Sequence, residues 1–126
     1  MTAKTGSTDT MHIGELADRT GLSLRTIRHY DDVGLLPATA RTDGGFRVYS
    51  QDDFDRLMVI KQMKPLGFSL EEMAEILGLL KEGPGVSGSA VRLAEILEQA
   101  AHQRAKMARN LAQADDFIAT LDRLTA

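Results

Sequence analysis

Arg25, Thr26, Arg28 and His29 cluster in the segment Ser23-Leu24-Arg25-Thr26-Ile27-Arg28-His29-Tyr30, which reads as one short helix with Ile27 on its apolar side. Long cationic donors carried away from that side suit phosphate oxygens and guanine edges in a DNA major groove. Positioning them is the task of the residues just before. Ala17, Gly21 and Ile27 are spaced A-x3-G-x5-I, which supplies a small residue where two helices touch, a glycine free to take positive φ in the turn, and a branched apolar plug. The reading is a helix-turn-helix. That spacing also arises by chance, and two arginines on a short helix are commonly a solvated face, so the segment that follows carries weight.

Gly34-Leu35-Leu36-Pro37 stops the helix, and Arg41-Thr42-Asp43-Gly44-Gly45-Phe46-Arg47-Val48-Tyr49 comes next. Asp43-Gly44-Gly45 is a tight-turn signal, and the residues after it run aromatic, basic, branched, aromatic. This predicts a small β-hairpin with Arg41 and Arg47 on its two arms. Such a hairpin beside a helix-turn-helix is a wing. Phe46, Phe54 and Phe68 are expected in the core rather than at a contact surface.

Three linked segments, T-I-R-H-Y-D-D-V-G-L-L-P, R-T-D-G-G-F-R-V-Y-S and L-G-F-S-L-E-E-M, resemble the DNA-binding domain of the MerR family of bacterial transcription regulators, over Met11 to Leu80. Where that family commonly has a tyrosine pair after the recognition arginine, this chain has His29-Tyr30. With the resemblance, Arg25 and Arg28 are expected at phosphates or base edges, Thr26 at a short polar contact, and His29 and Tyr30 in backbone positioning. Arg47 and Tyr49 are expected to grip phosphates from the wing. For both tyrosines the alternative is a ring packed inward with only its hydroxyl near DNA. The family's third helix, turn and fourth helix form a second wing. Lys64 lies near that turn and is expected to reach a phosphate, while Lys61 either does the same or is simply solvated.

Composition bounds the reading. The chain has 126 residues, 43% of them hydrophobic, with no tryptophan. That suffices for one compact domain of roughly 80 residues plus one long extra element, but not for two cores. Net charge is −3, which argues against coating nucleic acid by bulk charge. Between Arg19 and Arg47, however, five arginines face three aspartates, the balance of a site-selective binder. The absence of cysteine excludes disulfides and thiolate metal sites. His12, His29 and His102 are too dispersed for a metal site, and no metal or other cofactor is expected. No nucleophile-base pair, phosphate loop or carboxylate dyad suggests an enzyme. There is no apolar run long enough to span a membrane and no signal-peptide core at the start, so a soluble, cytoplasmic protein is expected.

Residues 1–10, rich in Thr, Ser, Lys and Gly, read as a disordered leader. Met11-His12 is expected to form a short strand beside the wing. A helix from Gly14 to Thr20 and a recognition helix from Leu24 to Val33, capped by Ser23, follow. Ser50 with Asp53 opens the next helix, which Pro65 should break or kink. Ser69-Leu70-Glu71-Glu72 is a second capping box, and Met73, Ile76, Leu77 and Leu80 share one face beyond it. Residues 11–81 thus form the winged helix-turn-helix domain.

Residues 82–89 contain three glycines and a proline in or beside the run K-E-G-P-G-V-S-G-S, the composition of a hinge. Residues 90–124 lack Gly and Pro, and Leu93, Leu97, Ala100, Arg104, Met107, Leu111, Ala114, Ile118 and Leu121 recur by fours and threes. That is a coiled-coil seam, interrupted only by Arg104. Either this helix folds back on its own domain or it takes a partner helix. The resemblance favours the partner, an antiparallel coiled coil between two subunits, and hence a near-palindromic operator.

The expectation is a mainly α protein, a winged helix-turn-helix domain followed by a long dimerisation helix. By resemblance it is a homodimeric regulator that bends and untwists double-stranded promoter DNA occupied also by RNA polymerase. The alternatives are a small-molecule sensor with its effector at the junction of dimer and DNA-binding domains, or an effector-independent repressor. Since the sequence ends with the dimer helix, no separate effector domain is expected.

Overall fold

The computed structural model describes residues 10–126 except 84, 86 and 87. The elements are β1 (Thr10–His12), α1 (Ile13–Thr20), α2 (Leu24–Asp32), β2 (Ala40–Arg41), β3 (Arg47–Ser50), α3 (Gln51–Met63), a 3-10 turn (Lys64–Leu66), α4 (Leu70–Glu82) and α5 (Ser89–Thr125). The leader expected at 1–10 falls outside the described residues except for Thr10, which opens β1.

The chain divides into two units after Gly78. In the first, β3 is the central strand of an antiparallel sheet in the order β1-β3-β2. Met11 pairs with Tyr49 and Arg41 with Arg47. The core is built from Leu16, Ile27, Leu36, Tyr49, Leu57 and Ile60, each fully enclosed. Burial of each such side chain contributes about 1.5–3 kcal/mol.

Local chemistry accounts for the boundaries. Gly21 ends α1 at φ 76°, its N–H donating to Ala17 O at 2.8 Å. A left-handed residue there turns the chain sharply enough for α2 to pack across α1. Ser23 caps α2 by accepting the Thr26 N–H at 3.1 Å. Ser50 and Asp53 form a reciprocal capping box on α3. Ser69 and Glu72 do the same for α4, at 3.1 and 2.8 Å. Pro65 sits inside the 3-10 turn that closes α3, where its missing N–H interrupts the α-helical ladder.

The second unit holds the end of α4 and the 37-residue helix α5. Gly83 and Gly88, at φ 82° and 84°, bracket the connection. Within α5 only Ser89 and Ile96 are buried. Leu97, Leu111 and Ile118 are 71, 64 and 57% exposed. Leu80, expected to share one face with Met73, Ile76 and Leu77, is exposed while those three are buried.

Candidate nucleic-acid interface

Helix α2 buries Ile27 and Tyr30 and turns Leu24, Arg25, Arg28, His29 and Asp32 outward. The i, i+4 rows place Leu24, Arg28 and Asp32 along one line and Arg25 and His29 along the next. Among the described residues neither Arg25 nor Arg28 has a hydrogen-bond or ion-pair partner. Both guanidiniums stand ready for an outside acceptor. Thr26 is half-buried and takes a hydrogen bond from the Ser23 hydroxyl at 2.9 Å, so it braces the cap while keeping its own O–H to donate.

The His29 ring lies 6.0 Å from that of Tyr30, tilted by 46°. Tyr30 is only 3% exposed, so its ring packs inward, the alternative left open by sequence. Lys64 Nζ stands 3.5 Å from the Tyr30 hydroxyl and 5.7 Å from the ring centre. Lys64 itself is exposed, which leaves its ammonium able to reach past the tyrosine.

The wing arginines behave differently from those of α2. Arg41 and Arg47 are directly opposed across the hairpin, an arrangement of like charges that is destabilising by itself. Asp31, from the last turn of α2, resolves it. Its Oδ2 lies 2.6 Å from Arg47 Nε and 3.6 Å from Arg41, and Asp32 receives a second Arg47 nitrogen at 3.2 Å. The Ala38 N–H donates to Asp31 Oδ1 at 3.1 Å. Burial of Asp31 opposes its charge, but the Arg47 and Ala38 hydrogen bonds and the two guanidinium charges outweigh that and lower its pKa. Arg47 is thereby held to the recognition helix through Asp31 and Asp32.

At the wing tip Thr42 N donates to Phe46 O at 2.9 Å and Gly45 N to Thr42 O at 2.8 Å, with Gly45 at φ 84°. The Arg41 guanidinium donates to Gly45 O at 3.0 Å. Phe46, expected in the core, is 70% exposed on this turn. Phe46 stands three residues before the buried Tyr49, so strand alternation puts it on the opposite face.

Tyr49 corrects the sequence reading more sharply. It is fully enclosed between its neighbours, its hydroxyl has no hydrogen-bond partner, and burial, ahead of the nearby Asp31 charge, raises its pKa. Its position on the middle strand faces the core, so it makes no phosphate contact. Phe54 is half-buried beneath the Arg19 guanidinium, 4.2 Å from its ring centre, and Phe68 is buried. Lys61 is not merely solvated, since its ammonium donates to Thr20 O at 2.6 Å, at the C-terminal end of α1.

Two residues that sequence reasoning missed organise the site. Asp31 was one of a pair of acids after the recognition arginines, with nothing local to mark its bond to the wing. Asp53 was legible as a capping acid, but not as a fully buried one that also receives the Thr39 hydroxyl and the Arg56 guanidinium. Among the described residues no three potential metal ligands converge and no helix is long and apolar enough to cross a membrane.

Comparison with known proteins agrees with this geometry. The profile described as MerR HTH family regulatory protein matches residues 11–80, and that described as MerR, DNA binding matches 54–124. The chain is 50% identical over 68 residues to the mercuric resistance operon regulatory protein of Bacillus cereus, covering 54% of this chain and 52% of that protein. It is 32% identical over 118 residues to the transcriptional regulator HmrR of Sinorhizobium medicae, covering 92% and 75%. Among solved structures it resembles HiNmlR, a MerR family regulator lacking the sensor domain and bound to promoter DNA, with TM-score 0.68, 26% identity, and 88% and 89% coverage. The chain spans about half the length of several curated relatives that it matches. From the profile match across most of the winged domain and the HmrR alignment along nearly the whole chain, it follows that this protein belongs to the MerR family of helix-turn-helix regulators.

Proposed function

We propose that this chain is a transcription regulator that binds double-stranded promoter DNA as a homodimer and controls transcription there by bending and untwisting the duplex under RNA polymerase. The observation that carries the reading is the division among the arginines: Arg25 and Arg28 lie unpaired on the exposed face of the second helix, while Arg41 and Arg47 fix the wing beside it. Arg25 and Arg28 serve as phosphate or base-edge donors, Thr26, His29 and Lys64 as flanking contacts, and Tyr30, Arg47 and Asp31 as the frame. Deforming a duplex costs several kcal/mol, which contacts from helix and wings must offset.

Residues 11–81 act as the DNA-binding part and 90–124 as the dimerisation helix. The support for the latter is the exposed stripe of Leu97, Met107, Leu111, Ile118 and Leu121, continued through Leu93, Ala100 and Ala114. A helix of 37 residues is roughly 55 Å long, and an exposed apolar stripe along it, broken only at Arg104, calls for a covering partner. A pair of such helices would bring together two copies of the recognition helix related by a two-fold axis. The site acts by binding and not by catalysis, in the cytoplasm.

Selection of duplexes from a random-sequence pool tests the proposal. Enrichment of a site with dyad symmetry is expected, bound by two chains. Recovery of no sequence preference at moderate salt would overturn it.

A further inference from the structure

Leu24 is the one apolar residue on the outward face of α2. It is the first residue of the helix and 39% exposed. Its neighbours on that face are Arg25, Arg28, His29 and Asp32. The inward face of α2 is already formed by Ile27 and Tyr30, both buried, and Leu24 lies off that face. Its row continues one turn later into the unpaired Arg28.

In helix-turn-helix proteins the N-terminal residues of the recognition helix are the ones that meet base edges. The floor of the major groove is polar except for one group, the 5-methyl of thymine. A leucine facing hydrogen-bonding edges elsewhere would strip water from them without replacing their partners. Facing a methyl, it removes apolar surface of both groups from water.

We propose that Leu24 reads a thymine 5-methyl, one in each half-site, with Arg28 fixing the register from the next turn. This rests on the DNA-binding reading above and adds a base preference to it. Ser23 supports the geometry, since its hydroxyl both caps the helix and bonds Thr26, pinning the turn on which Leu24 stands.

The test uses the full chain and the duplex enriched from the random pool, with each thymine replaced in turn by uracil, which differs only in lacking the methyl. For the wild type, one symmetry-related pair of thymines is expected to be sensitive, with about a fourfold loss of affinity per methyl. Leu24→Ala should bind the thymine duplex more weakly and be indifferent to uracil at that pair, the coupling that marks a direct contact. Circular dichroism of the variant should match the wild type, because alanine is a better helix former and the site is exposed. Wild-type binding insensitive to uracil everywhere, or a Leu24→Ala protein as uracil-sensitive as wild type, would overturn the contact while leaving DNA binding intact. Failure to enrich any duplex would instead remove the reading on which it rests.

Discussion

Asp31 Oδ2 lies 2.6 Å from Arg47 Nε, joining the last turn of the recognition helix to the central strand of the wing. The same oxygen faces Arg41, so one carboxylate holds together two cross-strand cations that would otherwise repel. Asp31→Asn keeps an acceptor for the Ala38 N–H but removes the charge. It should lower the urea midpoint and weaken operator binding, although no contact residue has changed.

The same link predicts a pH dependence. Because the Asp31 pKa is lowered in the folded chain, its stabilisation is complete above the ordinary aspartate value of about 3.9. It is lost as pH falls through the lower folded value. Urea midpoints of wild type and Asp31→Asn should therefore be well separated at neutral pH and converge in acid. A constant gap between the two curves would show that the charge is not the source.

Tyr49→Phe removes a buried hydroxyl that has no partner. Its stability should match or slightly exceed wild type, within about 1 kcal/mol, and operator affinity should not change. Tyr49→Ala leaves a hole in the core and should cost about 3–5 kcal/mol. Denaturant titration of both separates a core residue from a phosphate contact, and a large binding defect in Tyr49→Phe would restore the latter.

Gly21 turns α1 into α2 at φ 76°, a conformation that costs other L-residues about 1–2 kcal/mol. A built Cβ there would also stand 3.4 Å from Lys61 Nζ, ordinary contact at the end of a flexible chain. Backbone strain and not crowding should set the effect, so Gly21→Ala is expected to lose about that amount by urea denaturation and Gly21→Asn less. Equal losses in the two variants would contradict this.

What the sequence made legible was whatever local chemistry decides. Ser23, Ser50 and Ser69 announce helix starts, Gly21 the turn, Pro65 the end of α3, and Arg25 and Arg28 sit where helical period puts them. Tyr49 and Phe46 were less legible because alternation says which residues share a face but not which face the rest of the domain covers. Asp31 was invisible for a different reason, since its partners are 10 and 16 positions away in Arg41 and Arg47.

Leu111 lies in the proposed dimer seam and is 64% exposed in the single chain. Leu111→Lys should leave the monomer fold unchanged but put a charge against the partner helix. With two symmetry-related sites of about 1.5–3 kcal/mol each, dimer affinity should fall at least 100-fold, read as monomer by light scattering at low micromolar concentration. Unchanged mass at every concentration would place dimerisation elsewhere.

The central claim is that Arg25 and Arg28 are the principal DNA-contacting cations, flanked by Lys64, and that the wing arginines are framework. It is tested most directly by titrating the enriched duplex with the double variant Arg25→Ala/Arg28→Ala at several salt concentrations. Each lost base contact should cost about 1–3 kcal/mol, and each lost phosphate contact should flatten the salt dependence by about one unit of slope per half-site. The account predicts selective binding reduced to the level of a scrambled duplex, with circular dichroism unchanged. A double variant that still prefers the enriched duplex with wild-type affinity and salt slope would contradict it.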